Sequence, residues 1–313
     1  MKGLELSKAF FEEYGMPMLK AEFPELLPLI AVGFTGSGSE RYGFDDEISK
    51  DHDYEVGFTI FLPSEESVDA RQEFRLERAY SKLPKEYMGV KRQPLSPVGG
   101  NRNGPVRIAE FYKKQLGNES GDLTIREWLT LPDYALRECV NGEIFYDGLG
   151  KVTEIRENLK NVPEDGRKKR LAGNLLIMAQ SGQYNLPRCI KRGDVEAACL
   201  TVYEFVNSAI KTLFLLKGEF APYYKWSFHA LKKIYDKEIT DKLSKVLTKS
   251  AQTTDELKEK YYIVEEICSF VTTVLTEQNL TKAVCGDLEK HAYSVNDKIV
   301  DGAIRNLNVL VSV

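Results

Sequence analysis

Residues 35–62 read "TGSGSERYGFDDEISKDHDYEVGFTIFL", and this stretch decides the fold that the sequence predicts. Two Gly-Ser pairs are followed by a segment rich in carboxylates and then by a run of β-branched and aromatic residues. The period-two alternation of Val56, Phe58, Ile60 and Leu62 predicts a strand over residues 51–62. Because alternate side chains of a strand point to the same face, Asp51 and Asp53 are expected to present both carboxylates on one side.

The Gly-Ser pairs and the two aspartates together indicate a site for a metal-bound nucleotide. Two carboxylates held this close repel each other unless a cation lies between them, and Mg²⁺ binds one or two protein carboxylates while leaving other positions to phosphates. A Gly-Ser turn lets a ligand approach the backbone closely and offers N–H groups to phosphate oxygens. The stretch therefore predicts that Asp51 and Asp53 bind Mg²⁺ or Mn²⁺ and that the turn binds a nucleoside triphosphate (NTP).

Five segments carry a resemblance to a known family: "GSERYGFDDEISKDHD", "EWL", "GEIFYDG", "RGD" and "APYYKW". Together they are similar to an uncharacterised bacterial subfamily of the polymerase-beta-like nucleotidyltransferases that carries a helical C-terminal domain. The resemblance implies that Gly38 and Ser39 contact the triphosphate. It also implies that Asp51 and Asp53 bind the metal and that a carboxylate on a later strand completes the site. The implied reaction is Mg²⁺-dependent transfer of a nucleoside monophosphate from an NTP to a hydroxyl of a small molecule, with release of pyrophosphate.

The phosphate-binding pair stays open between two candidates. Ser37 fits the permitted spacing as well as Ser39 does, and Gly38-Ser39 is favoured because "GSE" followed by "GFDDE" is the subfamily arrangement. Residues 45–47 are expected to form an exposed acidic turn rather than ligands. His52, between the two aspartates, departs from the apolar residue that the family usually has there.

The remaining site assignments are also open. Glu110 is the first choice for the third carboxylate, in the metal site or as the base, because it follows the next predicted strand; Glu143 and Asp147 are alternatives. In "APYYKW", Lys225 is a candidate contact to the triphosphate, and its alternative is an ordinary surface lysine. Tyr224 is a candidate for stacking on the base, or it packs within the protein.

The rest of the chain predicts two domains with different secondary structure. Residues 1–150 are expected to form an α+β nucleotidyltransferase-like domain with a small mixed sheet, and residues 151–313 an all-α helical bundle that binds substrate or nucleotide. The predicted elements of the first domain are helices over 4–14, 17–27 and 64–83, strands in "LIAVGFTG", "VRIAE" and "GEIFYDG", and a long loop over 84–105. A loop of that length inside a compact domain is usually functional or disordered.

Composition and charge narrow the classes of partner. A net charge of −4 and a pI near 5.7 lack the basic excess of a protein that binds many phosphates of a duplex, so no extended nucleic acid is expected. No stretch approaches the apolar length of a membrane span, and the N-terminal segment is too acidic for a signal peptide. Five cysteines without metal-binding spacing indicate free thiols and a cytoplasmic location. The expected partners are an NTP and a small-molecule acceptor, and nothing in the sequence indicates an oligomeric state.

A second hypothesis is a non-catalytic module, either nucleotide-binding or of the toxin–antitoxin type. The presence of both Asp51 and Asp53 argues against it, because a pure binder has little need for two metal-binding carboxylates.

Overall fold

The computed structural model describes residues 1–50, 54–95 and 101–313, with Lys50 described by its backbone alone. The chain divides into two compact units. Unit 1 contains residues 1–123 and 135–161, and unit 2 contains residues 124–134 and 162–313.

Unit 1 combines helices with short strands. A π-helical segment, Phe11–Gly15, joins its first two helices. In chain order up to residue 161, the elements are α1 (Gly3–Phe10), α2 (Met16–Glu22), β1 (Ala31–Phe34), α3 (Ser39–Tyr42), β2 (Thr59–Leu62), α4 (Ala70–Lys82), β3 (Glu86–Tyr87), β4 (Val90–Lys91), β5 (Gly104–Arg107), α5 (Ile108–Leu116), α6 (Ile125–Thr130), α7 (Asp133–Val140), β6 (Glu143–Asp147) and α8 (Lys151–Lys160). Of these, α6 belongs to unit 2, and α8 lies in unit 1 although the predicted domain boundary comes just before it.

A four-stranded mixed sheet forms the centre of unit 1, in the order β5-β2-β1-β6. β1 is antiparallel to both β2 and β6, whereas β5 is parallel to β2. Val32 lies opposite Ile60, and both belong to the larger core, which the N-terminal helices cover. The other face packs Ala31 and Phe61 against Val152 of α8. The mixed sheet with its accompanying helices confirms the α+β class.

The strand predicted over residues 51–62 is shorter in the structure. β2 begins only at Thr59, and residues 54–58 form no strand, although Val56 and Phe58 are buried as the alternation predicts. The Phe58 N–H donates to the hydroxyl of Tyr80 at 3.3 Å. A side chain thus satisfies a buried backbone group that strand pairing would otherwise satisfy.

Three other predicted boundaries also move. The helix predicted over 64–83 begins at Ala70, because Asp69 and Gln72 form a reciprocal capping box there. The loop predicted over 84–105 contains the β3–β4 hairpin and the start of β5. The strand predicted in "VRIAE" ends at Arg107, so Glu110 lies in the first turn of α5 and not at the end of a strand.

Unit 2 is built from helices: all of its residues are described, and none lies in a strand. The long helix α9 packs against α11 and α15 in the centre, and a π-helical segment, Ala179–Asn185, leads from α9 into α10. Besides α6, the helices are α9 (Glu164–Met178), α10 (Leu186–Arg192), α11 (Val195–Leu216), α12 (Ser227–Ile234), α13 (Lys237–Thr248), α14 (Thr254–Glu277), α15 (Leu288–Asp297) and α16 (Gly302–Arg305).

Helix α9 carries two basic side chains into the interior of unit 2. Lys169 is fully buried, and its Nζ donates to Asn296 Oδ1 at 2.8 Å and to the Leu307 carbonyl at 2.6 Å. Burial lowers the pKa of Lys169. Arg170 forms a buried ion pair with Asp133. Because buried charges are costly unless they are paired or hydrogen-bonded, these contacts specify where the neighbouring segments sit against α9.

Helix α11 is the one helix of the described chain whose length and mean hydropathy would suffice to span a membrane. In the structure, 61% of its most apolar 18-residue window is buried inside the protein. Phe205, Leu213 and Phe214 are fully buried. This is the burial of a core helix.

Candidate functional site

The turn that follows β1 is the centre of the candidate site. β1 ends at Phe34, residues 35–38 turn the chain, and α3 begins at Ser39. Gly36 and Gly38 adopt φ angles of 105° and 127°, a backbone region that residues with a side chain rarely adopt. Both Gly-Ser pairs therefore place glycine where the turn requires it. We call residues 35–39 the Gly-Ser turn.

Asn141 holds the Gly-Ser turn from the far end of α7. Its Oδ1 accepts from the Gly36 N–H at 2.9 Å, and its Nδ2 donates to the Gly36 carbonyl at 2.7 Å. The hydroxyl of Thr35 lies 3.0 Å from the same Oδ1 and accepts from Arg156 Nη1 at 3.0 Å. Because both backbone groups of Gly36 are paired with one buried amide, the start of the turn is rigidly positioned.

Arg41 also holds the turn, through hydrogen bonds from its guanidinium. Its guanidinium donates to the carbonyl of Ser37 at 2.8 Å, to the carbonyl of Arg102 at 2.7 Å and to Asn103 Oδ1 at 2.9 Å. It also lies 4.6 Å from the ring centre of Phe34 and is almost completely buried. Burial, aided by the neighbouring Arg102 charge, lowers the pKa of Arg41 to about 10. This arginine ties the turn to the loop before β5.

Arg102 and Glu40 form an ion pair against the turn. Arg102 Nη2 donates to Glu40 Oε1 at 2.6 Å and to the carbonyl of Ser37 at 3.0 Å. A Cβ atom built on Gly38 would lie 2.3 Å from Arg102 Nη2 and 2.6 Å from Glu40 Oε1. The ion pair thus lies directly against Gly38, and a side chain at this position would displace the ends of Arg102 and Glu40.

The turn also presents three consecutive backbone N–H groups. No described residue accepts a hydrogen bond from the backbone N–H of Ser37, Gly38 or Ser39. The carbonyls of the same segment are occupied, since that of Gly38 accepts from the Arg41 N–H at 3.1 Å. Consecutive N–H groups that lack an acceptor form an anion-binding concavity.

A cavity of about 290 Å³ opens beside the turn, within unit 1. Gly36 and Ser37 line it, whereas Gly38 and Ser39 do not. Helix α5 also lines the cavity, and its Phe111 lies 3.7 Å from a Cβ built on Gly36. Basic and acidic side chains both contribute to the lining: Arg41, Glu73, Glu77, Arg102, Glu110 and Lys114.

A buried glutamate lies close to the turn through its main chain. Glu138, on α7, is buried, and its main-chain carbonyl lies 3.2 Å from the Thr35 hydroxyl. Burial raises the pKa of the Glu138 carboxyl, while the positive charges of Arg41 and Lys114 act in the opposite direction. Burial thus disfavours the charged form of this carboxyl group.

The residues for which the sequence predicts metal binding, Asp51 and Asp53, lie outside the described residues, as does His52. Their binding of Mg²⁺ or Mn²⁺ stays a prediction. Across residues 1–50, 54–95 and 101–313, no three His, Cys, Asp or Glu side chains are grouped so that they could hold a metal ion.

The candidates for the third carboxylate differ in their surroundings. Glu110 is exposed on α5 and lines the cavity beside the turn. Glu143, at the start of β6, forms an ion pair with Lys8. Asp147, at its end, accepts from the N–H groups of Gly150 and Thr153, both at 2.8 Å, and so caps the start of α8. Of the three, Glu110 is the one that lies at the cavity.

Tyr224 and Lys225 begin a short 3₁₀ turn in unit 2. Tyr224 is 73% exposed, its ring centre lies 4.5 Å from that of Tyr223, and both line a cavity of about 410 Å³ within unit 2. Lys225 Nζ lies 5.1 Å from the ring centre of Trp226 and does not line this cavity. A role for either residue in nucleotide binding stays a prediction.

Sequence reasoning missed the side chains that hold the turn. Arg41 and Glu40 stand inside the quoted stretch, but nothing in their spacing shows that they turn inward. Arg102 comes from the segment predicted as a long loop over 84–105, and a loop of that length is usually functional or disordered. Asn141 is 105 residues from Gly36 and carries no local signal.

Comparison with known proteins gives two matches. Residues 128–227 match the profile of a domain of unknown function (DUF4037), which is less than half of the chain and so does not assign the whole chain to a family. The crystal structure of a nucleotidyltransferase-like protein from Exiguobacterium sibiricum 255-15 is similar over 84% of this chain and 78% of that one, with 11% identity. Its TM-score of 0.39 is too low to carry an argument. No curated protein matches the chain.

Proposed function

We propose that the protein transfers a nucleoside monophosphate from an NTP to a hydroxyl of a small molecule, with Mg²⁺ or Mn²⁺, releasing pyrophosphate. The observation that carries this proposal is the Gly-Ser turn, a rigid loop whose backbone N–H groups at Ser37, Gly38 and Ser39 have no acceptor among the described residues. Such donors match the oxygens of a polyphosphate.

The fixed geometry of the turn supports the same function. Asn141 and Arg41 position the turn through both backbone groups of Gly36 and through the carbonyl of Ser37. Donors that are already oriented bind a charged ligand without paying for their own ordering. The adjacent cavity offers space for further parts of a substrate, and Glu110 on its wall is our candidate for the carboxylate that accepts a proton from the acceptor hydroxyl.

Asp51 and Asp53 are the residues proposed to hold the metal ion. Their chemistry fits, since two carboxylates are the set of protein ligands that Mg²⁺ commonly takes, leaving room for water and phosphate oxygens. A bound divalent ion would neutralise charge on the phosphates during transfer. The net charge of −4 supports a small acceptor over a long nucleic acid.

The test is transfer of label from each of the four NTPs, α-³²P-labelled, into cell extract in the presence of Mg²⁺. We expect label transfer by the wild type and its loss in the double variant Asp51→Asn, Asp53→Asn. The matched control is Glu22→Gln, Glu25→Gln, which removes two negative charges from exposed positions of the same unit.

Two outcomes would count against the proposed function in different ways. Transfer that survives the change at Asp51 and Asp53 would contradict the proposed mechanism. Nucleotide binding by the wild type without any transfer would instead favour the non-catalytic nucleotide-binding module.

A further inference from the structure

We propose that Arg102 binds the polyphosphate chain of the nucleotide, and that Glu40 holds its guanidinium in place of that anion when no ligand is bound. The inference rests on the proposed function, because it names the side chain that contacts the triphosphate at the same turn. Binding then exchanges one ion pair, Arg102 with Glu40, for another, Arg102 with phosphate.

The exposure of the two arginines at the turn points to Arg102. The side chain of Arg102 is 26% exposed and lines the cavity beside the turn. Arg41 is 3% exposed and already donates to three oxygens. Moving Arg41 toward a ligand would break buried hydrogen bonds, whereas the Arg102 side chain already lies at the cavity.

The position of the guanidinium supports contact with anything bound at the turn. Arg102 Nη2 lies 3.0 Å from the carbonyl of Ser37 and close to the position that a Cβ atom on Gly38 would take. The flexible stem of an arginine lets its charged end move several ångströms while the backbone stays in place. A polyphosphate on the N–H groups of Ser37 to Ser39 is therefore within its reach.

Glu40 resembles the proposed ligand in chemistry. A guanidinium pairs with the planar oxygens of a carboxylate and with those of a phosphate in similar geometry. The Glu40 side chain is only 4% exposed, so its negative charge depends on Arg102 and on the Ser39 hydroxyl, 3.5 Å away. A polyphosphate at the turn must therefore compete with Glu40 for Arg102, and the negative charge of Glu40 also repels it.

Arg102 and Glu40 are therefore expected to have opposite effects on the affinity for polyphosphate. Loss of Arg102 removes a ligand contact and weakens binding. Loss of the Glu40 charge removes a competitor and strengthens binding. An ion pair that served only to hold the loop in place would give weakening in both cases.

The experiment is isothermal titration of the full chain with magnesium tripolyphosphate, in low salt. We expect Arg102→Ala to weaken binding roughly 10- to 100-fold, the value of a hydrogen-bonded contact to a charged group, with Arg102→Lys in between. We expect Glu40→Gln to strengthen binding by at least about two- to fivefold, the range of an exposed ion pair, because Glu40 is the more buried partner. The control pair is Lys113→Ala and Glu119→Gln, from an exposed ion pair of the same unit, and neither should change binding by more than about twofold.

Three results would overturn the inference. If the wild type binds tripolyphosphate and Arg102→Ala binds it equally well, the exchange of ion pairs is contradicted. The exchange is also contradicted if Glu40→Gln weakens binding. In both cases label transfer can still support the proposed function. Absence of tripolyphosphate binding in both the wild type and Glu40→Gln contradicts the exchange and the proposed triphosphate site together. Thermal unfolding is measured for each variant to show that it is folded. If Arg102→Ala does not fold, Arg102→Lys takes its place in the comparison of affinities.

Discussion

The substitution Asn141→Ala tests whether one buried amide positions the Gly-Ser turn. Asn141 satisfies both the N–H and the carbonyl of Gly36, at 2.9 and 2.7 Å. Alanine leaves both backbone groups without these partners, and each buried group without a partner costs about 1–3 kcal/mol. Water entering the vacated space recovers part of this cost, so we expect the free energy of unfolding of unit 1 to fall by about 2–4 kcal/mol.

The assay must follow unit 1 separately, because the two units need not unfold together. Both tryptophans, Trp128 and Trp226, belong to unit 2, so tryptophan fluorescence reports on unit 2. Hydrogen–deuterium exchange of a peptide covering residues 31–42 reports on the turn. A loss of 2 kcal/mol accelerates that exchange about 30-fold when opening is at equilibrium, while the fluorescence transition stays unchanged.

The matched control is Asn161→Ala. Asn161 also lies in unit 1, at the end of α8, and its side chain donates a single hydrogen bond, to the Glu157 carbonyl at 2.9 Å. We expect a loss of about 1 kcal/mol or less there. Equal exchange in Asn141→Ala and the wild type over residues 31–42 would refute the reasoning that this amide holds the turn.

Two further predictions concern the surroundings of the turn. Gly38→Ala should destabilise unit 1 by about 1–3 kcal/mol, because its φ of 127° strains any residue that has a side chain. Gly43→Ala, with φ 66° and no neighbour within 4 Å, should cost about 1 kcal/mol. Hydrogen exchange compares the two variants, and equal costs would contradict the backbone strain assigned to position 38. A carboxyl group whose pKa is raised by folding binds its proton more tightly in the folded state than in the unfolded state. Glu138 therefore makes unit 1 less stable as the pH rises from its ordinary pKa of 4.5 through its raised pKa in the folded state. Glu138→Gln should therefore stabilise unit 1 at pH 7 and flatten its stability profile above pH 4.5, and an unchanged profile would contradict this prediction.

Local patterns in the sequence were sufficient for much of the fold. The alternation at Val56, Phe58, Ile60 and Leu62 correctly predicts burial, since each side chain belongs to the larger core. The α+β class followed from strand signals confined to the first half of the chain. Such signals are local, because hydrophobic periodicity repeats within a few residues.

The lengths of individual elements could not be predicted in the same way. The alternation through Val56 and Phe58 continues where the strand does not, and there the Phe58 N–H donates to the Tyr80 hydroxyl. Tyr80 is 22 residues away, on α4. Whether a backbone group pairs with a strand or with a side chain depends on a neighbour that no short window contains.

The sequence by itself determined that a glycine-rich turn follows a buried strand and that carboxylates come soon after it. Only the tertiary structure decided how the turn is held, by Asn141 from 105 residues away and by Arg102 from 65 residues away. The reason is physical: the glycines permit the positive φ angles through their own covalent geometry, whereas a hydrogen bond between distant residues forms only after the sheet and helices have brought them together.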